Sequence, residues 1–453
     1  MPHKLIMHHM GPVSECNIEL NEFNIITGPQ SQGKSTISKA VYFFRTVKQI
    51  IADIMRLGGI EKVSDEKKPH WSNVIKKRLK ENYLNIFGTS WVLPHDMYMR
   101  YKYGEEGKYI EVSVEPDVNH LGRNFVCISF SQSVEDFLVG LDSHCFSGIT
   151  AAELRREEER LYRFFDDPFE VFYIPAGRSV ITLLSDQLAY LYASLDPVAL
   201  RNIDHLTRKY SEQILKLKPL FIDGPEGFTE KCKESPEYAV SYSQQKTAIG
   251  IILKKARTII RGNYRYINNE ERIYLPNSNA NYVKINFASS GQQEVVWLIN
   301  LLVYYLATNK RVFLIVEEPE SHLYPESQRL LTETLSAFRN TVNSEEKKCS
   351  NSLLITTHSP YILGSLNYML LAGQCTREVS EKVKKGINKR LWIRSNSLTA
   401  WNVTDGRVQT GLNIDDELVL IANELIDGAS DEINRLTDFV LEQETRDADT
   451  ESY

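Results

Sequence analysis

Residues 28–35 read Gly28-Pro29-Gln30-Ser31-Gln32-Gly33-Lys34-Ser35, with Thr36 next, directly after the apolar run Phe23–Thr27. Two spaced glycines followed by Lys and Ser, between a strand and a helix, form the pattern of a phosphate-binding loop. The glycines let the backbone curl, and the amides of Gly33, Lys34, Ser35 and Thr36 open the following helix. Free N–H groups and the positive end of the helix dipole then face an anion. Lys34 is placed to reach the β/γ-phosphates and the Ser35 hydroxyl to ligate Mg²⁺. The loop predicts nucleotide binding, with Gly28, Gln30, Ser31, Gln32, Gly33, Lys34, Ser35 and Thr36 as the cradle.

Three further segments carry groups suited to the same chemistry. Val312–Val316 is a continuous apolar run ending in Glu317-Glu318. Such a run reads as a buried parallel strand, and its C-terminal end is where an α/β sheet holds ligands. Alternation sends the two carboxylates to different sides, so they can divide two tasks: Glu317 holding Mg²⁺ through water, Glu318 orienting the attacking water. Alone, the pair also reads as solvated acids at a strand end. Ser289-Ser290-Gly291-Gln292-Gln293-Glu294 precedes an apolar helix, with Ser290 read as its N-cap; this is either a second phosphate-binding helix start or an ordinary capped helix. Leu354–Thr357 is another apolar strand, ending at His358, which alone reads as structural as readily as catalytic.

The elements that must hold these groups follow from periodicity. Residues 4–27 read as three strands joined by turns, leading into a helix over 33–56. Gly58-Gly59 and the charged stretch 61–68 mark a linker. A less regular stretch to about 263 holds strand-like pieces (109–115, 125–130) and helix-like pieces (152–165, 179–195, 205–217, 245–261). Regular alternation resumes with strands at 264–268, 272–275 and 282–287, a helix at 290–307, a strand at 311–316, a helix at 325–338 and a strand at 353–357. Short strands at 391–395, 399–403 and 407–409 and an amphipathic helix over 415–443 complete the reading, with an acidic tail beyond. The expected organisation is therefore one nucleotide-binding domain, 1–56 and 264–410, split by an insertion at 57–263 and followed by residues 411–453.

Bulk properties narrow the class. The 453 residues are 42% hydrophobic, enough for substantial cores, and the net charge of −6 supplies no global basic field. The 6 cysteines are scattered without a Cys-x-x-Cys pair, as in a cytoplasmic protein with reduced thiols. The longest apolar run, Val295–Ala307, contains Asn300 and falls short of the roughly twenty residues of a membrane span. Asp415-Asp416-Glu417 reads as the acidic start of the last helix rather than as a metal site.

The order of these motifs resembles the ABC-type ATPase head, and more narrowly the SMC-like and OLD-like ATPases. The resemblance implies an α/β P-loop ATPase head domain with a large mixed α/β to helical insertion. It implies Glu318 as the catalytic glutamate, His358 as the switch histidine, and Ser290 and Gly291 as the signature that contacts the γ-phosphate held by a second subunit. Pro319–Pro325 would then be the D-loop, and Gln132 is the Q-loop candidate. Tyr173–Ser179 (Tyr-Ile-Pro-Ala-Gly-Arg-Ser) also resembles OLD-like members, without an assigned role. Two features depart from the pattern: Glu317 stands where Asp is usual, and the signature lacks the Leu-Ser-Gly-Gly form of transporter ATPases.

The implied cofactors are ATP and Mg²⁺, and the implied partner is a second copy in an ATP-sandwich homodimer, with larger assemblies open. OLD-like nucleases carry a further acidic nuclease domain, whereas only residues 411–453 follow here. A separately encoded, nuclease-like effector is therefore expected, as with the stand-alone ATPases AriA and PtuA of the PARIS and Septu anti-phage systems. The alternatives are a DNA-repair ATPase clamping duplex DNA, with Lys76–Lys80 and Lys254–Arg257 as basic candidates, and a transporter motor, which the non-transporter signature disfavours.

Overall fold

The computed structural model describes residues 2–59, 70–89, 93–104, 107–116, 123–142, 146–194, 204–276, 278, 280–341, 351–415 and 418–422. Strands β1 (His3–Met10), β2 (Val13–Leu20) and β3 (Phe23–Thr27) lead into helices α1 (Lys34–Arg45) and α2 (Val47–Arg56). Helix α3 (Trp71–Phe87) precedes β4 (Tyr98–Lys102), β5 (Tyr109–Pro116) and β6 (Asn124–Phe130). Then come α4 (Gln132–Asp142), α5 (Ala151–Phe164), β7 (Glu170–Ile174), α6 (Arg178–Ser194), α7 (His205–Leu217), α8 (Gly224–Glu234) and α9 (Ala239–Ile260). A small antiparallel sheet of β8 (Asn263–Ile267), β9 (Glu270–Tyr274) and β10 (Tyr282–Lys284) precedes α10 (Ser290–Ala307). The remainder is β11 (Val312–Glu317), α11 (Pro325–Arg339), β12 (Ser352–Thr357), α12 (Pro360–Gln374), α13 (Arg377–Val383), β13 (Leu398–Thr404), β14 (Arg407–Thr410) and a hairpin of β15 (Leu412–Asp415) and β16 (Leu418–Ile421).

One 11-stranded sheet dominates, in the order β6-β5-β4-β1-β2-β14-β13-β3-β12-β11-β7. From β13 to β7 the five neighbours run parallel, while β6 to β2 form an antiparallel meander. The central parallel strands β3, β12 and β11 are buried at every position because both faces are covered. In β11, Val312, Leu314 and Val316 enter the core beneath α9 to α12, whereas Phe313 and Ile315 enter the opposite core against α1 to α3. The apolar run at 295–307 is a buried helix: every residue from Gln293 to Ala307 is enclosed.

Several expectations change shape. The helix read over 33–56 breaks at Thr46, whose hydroxyl bonds back to the Phe43 carbonyl and competes with the helical ladder. Residues 57–263 supply β4, β5, β6 and β7 to the same sheet as the P-loop strand, so a division by sequence is not a division of the sheet. The strand read at 391–395 is a 3₁₀ turn at Lys389–Leu391 with extended residues after it. The helix read from 415 begins instead as the β15–β16 hairpin, so Asp415 ends a strand; residues 423–443 lie outside the described residues.

A buried ionic cluster joins the two halves of the sheet. Asp167, fully enclosed, accepts from Arg45 at 2.7 Å and from Lys48, and the Arg45 guanidinium lies 3.8 Å from the centroid of the Phe313 ring. His3 sits beside it, with Nδ1 3.0 Å from the Tyr101 hydroxyl and Nε2 3.2 Å from the Asp166 carbonyl. That geometry suits a neutral ring donating from Nε2 and accepting at Nδ1. Burial, followed by the Arg45 charge, lowers the His3 pKa to about 3, against about 6.5 in an unfolded chain. Between those values the unfolded chain binds the extra proton, so the His3 contribution is intact above about 6.5 and is lost as pH falls toward about 3. Thermal melts should therefore show a midpoint falling steadily below pH 6.5, with a shallower slope in His3→Gln. Equal slopes in the two proteins would exclude His3 as the cause.

Candidate functional site

Register brings the C-terminal ends of four parallel strands to one edge. Thr27 of β3 stands opposite Thr357 of β12, Thr356 opposite Glu317 of β11, and Val316 opposite Ile174 of β7. The loops leaving these ends contain the P-loop, Glu317-Glu318, His358 and Pro175–Arg178. This is where an open parallel sheet collects ligand-binding groups.

The two P-loop glycines are required by space as well as by backbone angle. Gly28 has φ +136°, and a Cβ there would lie 2.2 Å from the Val403 carbonyl oxygen of β13. Gly33, the N-cap of α1, has φ +107°, and a Cβ would meet Val13 at 2.5 Å. Ser31 lies in the left-handed region, and Gln30, Ser31 and Ser35 are exposed, with Gln32 and Thr36 half-buried. Lys34 is buried, and its ammonium donates to the carbonyls of Gly28 and Pro29, each at 2.7 Å. Burial lowers the Lys34 pKa, opposed by the negative charges of Glu318, Glu320 and Glu317, in that order.

The acids surround this lysine unequally. Glu317 is buried on the α1 side: its Oε2 accepts from the Ala176 amide at 3.2 Å, and its Oε1 lies 3.5 Å from the Ser38 hydroxyl. That hydroxyl is also 2.9 Å from Tyr173 Oη and 3.0 Å from the Ser35 carbonyl, which links Glu317 to the first turn of α1. Burial, then the nearby Glu317 charge, raises Tyr173 well above the usual phenol range, so it stays a neutral donor. Glu318 follows with φ +40°, a left-handed conformation costing on the order of 1–3 kcal/mol in a non-glycine residue. Its carboxylate lies 3.7 Å from His358 Nδ1, with both side chains partly open to solvent. Glu320 is buried: Oε1 accepts from the Thr357 hydroxyl at 2.7 Å and the His358 amide at 2.9 Å, and lies 3.4 Å from His358 Nδ1. Its Oε2 is buried without a hydrogen-bond partner.

The residues read from sequence thus fall into two groups. Lys34, Glu317, Glu318 and His358 share one edge with the P-loop. Ser290 and Gly291 stand apart, and among the described residues no hydrogen bond or ion pair joins them to residues 28–36. Gly291 packs instead on the segment after Glu318, where a Cβ on it would lie 2.8 Å from the His322 carbonyl oxygen. The cap of α10 is Ser289, not Ser290: Ser289 Oγ accepts from the Gln292 amide, and the Gln292 side chain returns to the Ser289 amide, leaving Ser290 as the first helical residue. Gln132 opens α4 beside the edge strand β6 and donates to Asp136, far along the sheet from the P-loop, so it is not part of this edge.

Sequence reasoning missed Ser38, and it noted Tyr173, Arg178 and Glu320 only within the segments 173–179 and 319–325, without a role at this site. Ser38 shows only as a polar residue on the buried stripe of α1, and Glu320 only as a third acid after Glu317-Glu318. Arg178 is wholly buried, a rare place for arginine, and its segment gave no sign of that burial.

No curated protein matches the chain. Among solved structures it is similar to the SMC head domain from Thermotoga maritima, at 12% identity and a TM-score of 0.32, covering 93% of this chain and 99% of that one. Residues 178–363 match the family model described as AAA ATPase domain, a span containing Ser290, Gly291, Glu317, Glu318 and His358 and beginning at Arg178. With its P-loop between β3 and α1, and that match over 178–363, the chain has a mixed α/β P-loop ATPase fold.

Proposed function

We propose that the protein hydrolyses ATP at the edge formed by Lys34, Glu317, Glu318 and His358. One observation carries this reading: a buried P-loop lysine stands in the field of three carboxylates, Glu317, Glu318 and Glu320, at and just after the C-terminal end of parallel strand β11. The amides of residues 33–36 and the Lys34 ammonium would bind the phosphates. Glu318 would accept the proton of the attacking water, with His358 beside it to hold charge at the γ-phosphate. A divalent cation fits the donors present, since hard carboxylate oxygens outnumber the single ammonium and Glu320 Oε2 lacks a partner. Ser35 and Glu317 would hold Mg²⁺, which neutralises phosphate charge when bound.

Ser290 and Gly291 lie away from residues 28–36, which supports a site completed by a second copy, each signature facing the other subunit's P-loop. Phe287, Tyr324 and Tyr361 support the same reading, being large aromatics left 80%, 77% and 53% exposed around the signature, the segment after Glu318 and the residues after His358. The resemblance to stand-alone anti-phage ATPases extends the proposal: a cytoplasmic sensor and scaffold whose nucleotide state controls a separate effector of nuclease or toxin type.

The second reading, a clamp on duplex DNA, is favoured by a patch the sequence reading did not single out. Residues 377–394 carry seven Lys or Arg against two Glu in a chain of net charge −6. Arg377, Lys382, Lys385, Lys389, Arg390 and Arg394 form no ion pair among the described residues, whereas Lys76, Lys255 and Arg257 of the earlier candidates are paired with Glu135, Glu333 and Glu226. The experiment is phosphate release from ATP with and without duplex DNA, in the native chain and in Lys382→Glu/Lys385→Glu/Lys389→Glu. Turnover without DNA is expected in both; no turnover in either excludes the ATPase. Stimulation by DNA that the triple variant loses would favour the clamp, and turnover indifferent to DNA would favour the effector-controlling reading.

A further inference from the structure

Arg178 follows β7 and opens α6, with no exposed surface. Its Nη1 donates to the Glu317 carbonyl at 2.6 Å and to the Pro175 carbonyl at 3.0 Å. Its Nη2 donates to the Glu318 carbonyl at 3.0 Å, and its Nε to the Glu294 carbonyl at 3.2 Å. The Glu294 carboxylate, also fully buried, lies 3.1 Å from Nε through Oε2 and accepts from the Ser179 amide at 3.0 Å through Oε1. Thr182, one turn further along α6, donates to the Gln293 carbonyl at 3.1 Å. One planar guanidinium therefore ties together β7, the end of β11 and the first turns of α10.

Two properties of this fork exceed what packing alone requires. It grips both carbonyls that flank the left-handed turn at Glu318, the residue whose carboxylate faces His358 and the Lys34 ammonium. It also holds α10 at Glu294, one turn beyond Ser290 and Gly291. We infer that Arg178 is a positioning residue that couples the seat of the Ser290–Gly291 helix start to the orientation of Glu318, so that engagement of a phosphate at one is read at the other. This rests on the hydrolysis proposed above and names what sets its geometry. The rigid fork is the reason for arginine: a lysine ammonium carries a comparable charge but cannot reach four carbonyls in one plane.

The test is a double-mutant cycle on single-turnover ATP hydrolysis, with nucleotide affinity measured alongside. Arg178→Lys is expected to lower the rate constant about 100-fold, the scale of a small misplacement of a reacting group, while ATP affinity changes less than about threefold. Combined with Glu318→Gln, it is expected to add almost nothing to the loss from Glu318→Gln alone, because both act through one carboxylate. Multiplicative losses in the double variant, or a matching fall in ATP affinity, would assign Arg178 a structural role and overturn the inference. Where Arg178→Lys fails to fold, Glu294→Gln takes its place: it keeps the shape but removes the charge that holds the guanidinium, and the same non-additivity is expected. Absence of hydrolysis in the native chain would sink the proposed function itself, an outcome distinct from additive losses in an active enzyme.

Discussion

Replacing Glu318 with Gln is expected to slow ATP hydrolysis by on the order of 10³-fold while leaving nucleotide binding in place. The two side chains match in shape, so the left-handed turn at Glu318, held by the Thr356 carbonyl on its amide and by Arg178 on its carbonyl, has no cause to move. What disappears is a group able to take a proton from water, a function worth roughly 10²–10⁴ in rate. Burial disfavours the charged form of Lys34 while Glu318 is the strongest of the three acids favouring it, so the variant also weakens the field that keeps that ammonium charged. Phosphate release in a single turnover and a nucleotide titration read the two effects separately. If the copies meet around ATP, the slow variant should accumulate as a dimer when ATP is present, measurable by light scattering. Turnover within a few-fold of the native rate would remove Glu318 from the chemistry. Attention would then pass to Glu320, whose oxygen binds the His358 amide.

The parts of this site that a single segment encodes were legible beforehand, and the parts that depend on distant chain were not. The P-loop, the apolar strands ending at Glu317 and Thr357 and the helix over 290–307 each declare themselves through local spacing and continuous apolarity. They lie within about one residue of the sequence reading. Strand β7 is short, and its partner is β11, far along the chain, so nothing local announces that Glu170–Ile174 closes the edge of the sheet. The same holds for β4 to β6, legible in part as strands but not as neighbours of β1. Arg178 is the sharpest case, because its value lies in four carbonyls that only the assembled sheet brings within reach. At 412–421 the error is different: Ile414, Leu418 and Ile421 sit at near-helical spacing, and the acids between them suit a helix start as well as a turn. The partners made by pairing, Leu412 with Ile421 and Ile414 with Val419, decide for the hairpin.

Lys34→Ala should abolish productive nucleotide binding, raising the dissociation constant for ATP by on the order of 10²–10³-fold. The Lys34 ammonium closes its own loop. It is buried, and two of its three N–H donors go to the Gly28 and Pro29 carbonyls of its own loop at 2.7 Å. Those carbonyls are neutral, whereas the groups that favour its charge are the carboxylates of Glu318, Glu320 and Glu317. Bringing in a polyphosphate adds more negative charge to a place already holding three carboxylates. Lys34 is the cation that the loop itself supplies against that repulsion. Removing one partner of a buried charge-assisted contact typically costs about 3–5 kcal/mol, which sets the size of the expected loss. The alanine also frees the Gly28 and Pro29 carbonyls, which are left without their donor in a loop whose shape depends on Gly28 fitting under Val403. Lys34→Arg separates the two contributions. It keeps the charge but is too long and too wide for the pocket formed by its own loop, so it should recover less than a tenth of the lost affinity. Titration of a fluorescent ATP analogue against the three proteins reads this directly, with melting midpoints confirming that each remains folded. An alanine variant that binds ATP within about threefold of the native chain would show that the amides at the start of α1 hold the phosphates without the lysine, and would return Lys34 to the role of a loop-closing side chain.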